Sequence, residues 1–193
     1  MRILSSAFPC GLFTAALTLA GCAAANQSVP PPLTIPPAEP TAATMPPDET
    51  PADELVGPQF GGPGGSPAQI RCPLAMGLQG QSGSYIDRIG LVCFLAERAW
   101  DSPTYGGTGG GRFVQLCPPG ARAIGIFGRA GDYVDQLGLL CSDSQGQPST
   151  SRLQGGSGGS QFTWTCPPGY ALSGLSLMIG DYVDSVAPVC KRG

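Results

Sequence analysis

The sequence predicts an all-β fold, in which one domain of three copies of a single unit forms three sheets about a pseudo-threefold axis. That domain stands behind an export leader and a proline-rich tether. Three observations predict it. A set of markers recurs three times in the same order. Segments between the markers alternate apolar and other residues with a period of two. No stretch holds a helical period long enough to matter, the nearest being Leu95–Trp100.

In chain order, Met1-Arg2 gives a short positive start, and a mostly apolar stretch runs to Leu19. Pro9 and Gly11 break that stretch, and it falls short of the roughly 20 apolar residues a spanning helix needs. It ends in Leu19-Ala20-Gly21-Cys22, which resembles the lipobox of bacterial lipoproteins. The resemblance implies a signal peptide over residues 1–21, cleavage before Cys22, and diacylation of its thiol, which anchors without spanning. An ordinary secretory leader is the alternative. Ala23 stands where such lipoproteins carry aspartate for inner-membrane retention, so the expected location is the bacterial outer membrane or cell surface.

Residues 22–54 read as the lipidated cysteine and its tether. Residues 23–54 hold nine prolines and five acids (Glu39, Asp48, Glu49, Asp53, Glu54), with no base and no aromatic. Proline fixes φ and removes donors, so this segment should be extended, at about 3.1 Å per residue. From Leu55 onward eight acids meet nine bases, so the formal −3 belongs to the tether. No basic footprint for nucleic acid exists. The chain has no histidine, which excludes imidazole metal sites and histidine-based catalysis. With Lys191 as its single lysine, the domain is not expected to be an enzyme or to hold a metal or cofactor.

The domain, residues 55–193, is one unit written three times. Gly-Gly-x-Gly-Gly occurs at Gly61–Gly65, Gly106–Gly110 and Gly155–Gly159, so the repeats run over about 61–105, 106–154 and 155–193. Cys-Pro follows at Cys72, Cys117 and Cys166. Gly-x-Tyr-x-Asp follows at Gly83-Tyr85-Asp87, Gly131-Tyr133-Asp135 and Gly180-Tyr182-Asp184, and each copy closes six residues later at Cys93, Cys141 or Cys190. Repeat one spans 13 residues from Cys to Tyr where the others span 16, so it should have a shorter turn and a first site that contributes least if its loop is misplaced.

Within a repeat, Phe162–Cys166 is a run of aromatic and β-branched residues stopped by Pro167-Pro168-Gly169, and Tyr133–Leu140 alternates over most of its length. About 48 residues give room for four short strands per repeat. One such sheet cannot bury both faces, so three share a core. Core candidates are Ile86, Ile89, Leu91, Val134, Leu137, Leu139, Val183 and Val186, with Phe113 and Phe162. Trp100 and Trp164 read as packing residues.

Six cysteines remain after Cys10 and Cys22 are set aside. In an exported protein they imply disulfides, with fifteen connectivities open. Repeat symmetry favours Cys72–Cys93, Cys117–Cys141 and Cys166–Cys190.

The glycine loops followed by Gly-x-Tyr-x-Asp resemble jacalin-related lectins, above all an algal lectin in which every repeat keeps both features. The resemblance covers residues 61–190. It implies the β-prism I fold of three four-stranded Greek-key sheets, and glycans of mannose type as partners. It also implies that each turn is completed by the next glycine loop: Asp87 with Gly106–Gly110, Asp135 with Gly155–Gly159, and Asp184 with Gly61–Gly65. The Cys-Pro-Pro-Gly and terminal cysteine pattern is similar instead to vitelline membrane outer layer proteins.

The chemistry stands without the family. A carboxylate accepts two vicinal sugar hydroxyls at once. Backbone N–H groups supply donors if the chain comes close, which glycine permits. The expected carbohydrate contacts are therefore Gly83, Tyr85, Asp87, Gly131, Tyr133, Asp135, Gly180, Tyr182 and Asp184, with Gly65, Gly110 and Gly159 from the loops. Each tyrosine is expected beside its aspartate, in turns facing solvent. The bland alternative is a tight turn whose aspartate bonds its own backbone. Arg129 reads equally as an added donor or a solvated charge, and Asp132 and Asp181 as solvated rather than calcium ligands. At the level of function, the alternative to a lectin is a structural or adhesion envelope lipoprotein that binds proteins.

Overall fold

A computed structural model describes residues 53–193. The Leu19–Cys22 motif, Cys22 and nearly all of the tether lie outside the described residues. Fifteen strands follow one another, with no helix among the described residues: β1 (Glu54–Val56), β2 (Phe60–Gly61), β3 (Ser66–Arg71), β4 (Ala75–Ser82), β5 (Ile86–Leu95), β6 (Arg98–Asp101), β7 (Tyr105–Gly106), β8 (Gly111–Leu116), β9 (Arg122–Ala130), β10 (Val134–Ser142), β11 (Pro148–Thr150), β12 (Gln154–Gly155), β13 (Ser160–Thr165), β14 (Tyr170–Ile179) and β15 (Val183–Arg192). Leu95–Trp100 is the β5–β6 hairpin.

Three antiparallel sheets result, ordered β6-β5-β4-β8, β11-β10-β9-β13 and β1-β15-β14-β3. The four-strand expectation holds with the outer strand broken in two, because β7, β12 and β2 continue along β5, β10 and β15. At the break, Ser102 Oγ and Ser151 Oγ accept the N–H groups of Leu91 and Leu139 that the interrupted ladder would leave unpaired. The third sheet has Pro188 at that place, which has no N–H, and its partner is Gly57, whose N–H donates to Pro188 O. From each outer strand the chain crosses to the far side of the sheet through a glycine loop, which is the Greek-key connection. The sheets form the three sides of a β-prism I.

The sheets are out of phase with the repeats counted from the glycine loops. β1, β2 and β3 join β14 and β15, so the two ends of the domain share one sheet. Glu54, expected in the tether, pairs with Lys191 and bonds Arg71 at 3.1 Å, and Asp53 O accepts the Arg192 N–H. Composition hid this, because a three-residue edge strand carries too little pattern to stand out from an acidic linker.

Inside, Ile86, Ile89, Leu91, Val134, Leu137, Leu139, Val183 and Val186 are fully buried, with Phe113 close behind. Each such side chain contributes about 1.5–3 kcal/mol. Phe162 is partly buried and stacks on Phe60 with ring centroids 4.2 Å apart, and Trp164 packs against the core. Trp100 differs, being 42% exposed on the edge strand β6.

The disulfides are Cys72–Cys93, Cys117–Cys141 and Cys166–Cys190. Each lies within one repeat of the sequence yet joins two sheets, because Cys72, Cys117 and Cys166 follow β3, β8 and β13 of the preceding sheet. Their N–H groups donate to the carbonyls of Ser173, Met76 and Ile124. These three are extra residues in β-bulges, left out of the ladder by register shifts.

Candidate functional site

At the other end of each central hairpin lies a second register shift. Gln81 pairs with Arg88 and Ser82 with Ile86, which leaves Asp87 as an extra residue. Asp135 is left out in the same way between Val134 and Gln136, and Asp184 between Val183 and Ser185. A bulge re-aims its side chain, so Ile86 and Asp87 are both buried although they are neighbours in a strand.

The glycine loop of the following repeat wraps each bulge. Asp87 O accepts the Gly107 N–H at 2.9 Å, Asp135 O the Gly156 N–H at 2.8 Å, and Asp184 O the Gly62 N–H at 3.0 Å. Further along the loop the backbone closes over the carboxylate. A Cβ on Gly64 would stand 2.5 Å from Asp184 Oδ1, so only glycine allows this approach. Gly65, 2.7 Å by the same measure from Asp184 Oδ2, also needs its φ of +78°. Gly109 and Gly110 enclose Asp87, and Gly158 and Gly159 enclose Asp135, in the same way.

The carboxylates are not out in solvent as expected. Asp87, Asp135 and Asp184 are 6%, 5% and 6% exposed. The reason is the bulge, which turns each side chain beneath its loop. Asp87 Oδ2 and Asp184 Oδ2 have no hydrogen-bond partner in the protein. An aspartate serving only its own turn would have spent those oxygens on the backbone, as Asp143 does on the N–H groups of Gln145 and Gln147.

The tyrosines differ from expectation too. Rather than standing separately beside their aspartates, the half-buried rings of Tyr85, Tyr133 and Tyr182 meet one another, with centroids 5.1–5.3 Å apart in tilted and edge-on pairs. Aromatic quadrupoles favour such arrangements. The three turns therefore converge on one end of the prism. They also interlock: Gly62 abuts Asp132 O, Gly107 abuts Asp181 O, and Gly156 abuts Ser84 O, each in a neighbouring turn. Gly83, Gly131, Gly180 and the side chains of Asp132 and Asp181 lie exposed on this end. Among the described residues no cluster of His, Cys, Asp or Glu could hold a metal ion.

Arginines fix two of the loops. Arg88 donates to Gly107 O at 2.6 Å and Gly106 O at 2.8 Å, and Arg129 donates to Gly158 O and Gly159 O at 2.7 Å each. Arg129 is thus a loop clamp rather than a solvated charge. Arg88 escaped sequence reasoning because the two clamps occupy different strand positions, so no repeat marks them. At the third loop Ser185 stands in the place of Arg88 and takes a hydrogen bond from Gln59 at 2.6 Å. The shortened turn of repeat one, by contrast, lies at the disulfide end, a strand length from Asp87. The first site is therefore not misplaced, and it repeats the contacts of the others.

The fold defines a β-prism of the jacalin type, with three loop-enclosed carboxylates at one end. Solved structures resemble it over nearly their whole length. The Malaysian banana lectin matches with a TM-score of 0.59 and 19% identity, covering 72% of this chain and 99% of that one. A mannose-binding jacalin-related lectin from Ananas comosus matches with a TM-score of 0.60 and 17% identity, covering 74% and 100%. Artocarpin complexed with methyl α-mannose matches with a TM-score of 0.61 and 14% identity, covering 72% and 99%. At these identities the likeness establishes the fold. No protein-family model and no curated protein matches the chain.

Proposed function

We propose that this chain is a non-enzymatic lectin that binds hydroxyl-rich glycans, mannose-type sugars first, at three shallow sites on one end of the prism. The observation that carries the reading is the aspartate carboxylate approached by the glycine loop of the next repeat, the same arrangement at Asp87, Asp135 and Asp184. Two vicinal sugar hydroxyls donate to such a carboxylate, while neighbouring glycine amides donate to sugar oxygens. The loops and turns are preformed, so binding spends little on ordering them. Each new hydrogen bond replaces one to water and nets only about 1 kcal/mol, which puts a single site at roughly 0.1–1 mM. Three converging sites on one rigid domain raise avidity for dense glycans by about 10²–10⁴. The jacalin-type neighbours solved with methyl α-mannose and mannotriose support the choice of sugar.

The test is a glycan array on the wild-type chain and on a triple variant with Asp87, Asp135 and Asp184 changed to alanine. Dense mannosides should be retained by the first and lost by the second, with circular dichroism unchanged. Full retention by the folded triple variant would overturn the reading, and no glycan binding by the wild type would favour an envelope protein that contacts other proteins.

The Leu19–Cys22 motif and the proline-rich segment support display of this lectin on a bacterial outer membrane or cell surface through acylated Cys22. Cys22→Ser should abolish palmitate labelling and block processing or move the chain to the soluble fraction. Labelling that persists would refute the anchor.

A further inference from the structure

At the disulfide end of the prism, a strand length from the three carboxylates, an open cleft of about 720 Å³ separates the first sheet from the β10–β11 hairpin. Leu74, Met76, Phe94 and Ala121 give it an apolar floor, and Arg122 and Asp143 stand at its rim. Two departures from the repeat symmetry produce it. Repeat one lacks the Pro-Gly of the other two, so Leu74 follows Pro73 directly, and the Phe94 N–H donates to Leu74 O at 2.9 Å without a longer turn folded over the pair.

The second departure sits across the cleft. In repeat three, Tyr170 follows the Pro-Pro-Gly turn and is buried, with the Arg192 guanidinium 5.3 Å above its ring and Arg192 Nη2 3.2 Å from its hydroxyl. Repeat two carries Ala121 and Asp143 at those two places, so a ring present in one copy is replaced by a methyl group in the other.

The rim carries one charge of each sign, Arg122 and Asp143. The Asp143 carboxylate is already engaged by the amides of Gln145 and Gln147. Arg122 is exposed and has no carboxylate partner among the described residues. The volume falls in the usual range for small-molecule sites, about 300–1,000 Å³, and the mix of an apolar floor with a few polar groups is the usual one.

We propose that this cleft binds a small aromatic anion, with the ring on Leu74, Phe94 and Ala121 and the acidic group at Arg122. The site is separate from the glycan sites and does not depend on them.

The test is titration of the full chain bearing Cys22→Ser, which carries no lipid, with the fluorescent probe 1-anilinonaphthalene-8-sulfonate. Variants are made on the same background, so any uptake by the leader is common to all. One saturable component is expected, undisturbed by methyl α-mannoside. Ala121→Tyr, which copies repeat three, should weaken it at least tenfold. Arg122→Glu, an exposed change that spares the fold, should weaken it about fivefold or more and decides the matter if Ala121→Tyr fails to fold. No saturable component, displacement by the mannoside, or an unchanged affinity in Arg122→Glu would overturn the proposal.

Discussion

Asp184→Ala is expected to raise the melting temperature while removing glycan binding at the Gly61–Gly65 loop. Asp184 is 6% exposed, and its Oδ2 has no partner. A buried polar atom left unpaired costs about 1–3 kcal/mol, and alanine removes it. Against that gain stands the space left beside Gly64 and Gly65, at about 1 kcal/mol for so small a truncation. The bulge itself survives, since the Asp184 carbonyl rather than its side chain accepts the Gly62 N–H. The net is a gain of about 1 kcal/mol, or roughly 3–5 °C for a domain of this size. Calorimetry with the disulfides intact measures it, alongside a mannoside titration. A fall of more than about 3 °C would show that the carboxylate anchors its turn, which is the structural reading of Gly-x-Tyr-x-Asp. Unchanged binding would refute its part in the glycan site.

Three further outcomes are expected. Gly64→Ala places a methyl group 2.5 Å from Asp184 Oδ1 and should silence that site, read as a loss of about one third of the bound mannoside at saturation. Arg88→Ala releases the carbonyls of Gly106 and Gly107, and calorimetric titration should show affinity at the Asp87 site falling by up to about thirtyfold, for two lost bonds at about 1 kcal/mol each. Replacing both Cys166 and Cys190 with serine opens a loop of 24 residues and should lower stability by about 3 kcal/mol in a denaturant titration, with the other two bridges intact by mass spectrometry.

Much of the fold was legible because repetition multiplies a weak signal. Three copies of Gly-x-Tyr-x-Asp fixed where the hairpins turn, and the fully buried Ile89, Leu91, Leu137 and Leu139 follow the period-two pattern. The pattern failed at Asp87, Asp135 and Asp184. Strict alternation would place a residue next to buried Ile86 or Val134 on the outer face, and no local composition announces a bulge. Tyr85 was legible as a site residue but not as a member of a ring trio, because its partners Tyr133 and Tyr182 lie in the other two repeats, far along the chain. The pairing of Glu54 with Lys191 was hidden because a three-residue edge strand does not stand out from the acidic segment that leads into it. The cysteine pairing was readable from symmetry, but not the fact that each bond ties two sheets together.

The sharing of one sheet by the two ends of the domain has a kinetic consequence. β1 and β2 pair with β15, whose residues come some 130 positions later, so the earliest strands made stay unpaired until nearly the last residue has been added. Pairings at such separation are slow to form, because the loop must close before any contact rewards it. The other two sheets are continuous in sequence and are free to form first. A chain stopped before Val183 would therefore strand the Gly61–Gly65 loop with neither its bulge nor its aspartate, while Asp87 and Asp135 already have their loops in place. Such a molecule is two-thirds complete, with the edge of β14 that faces β15 open and Cys166 still waiting for Cys190.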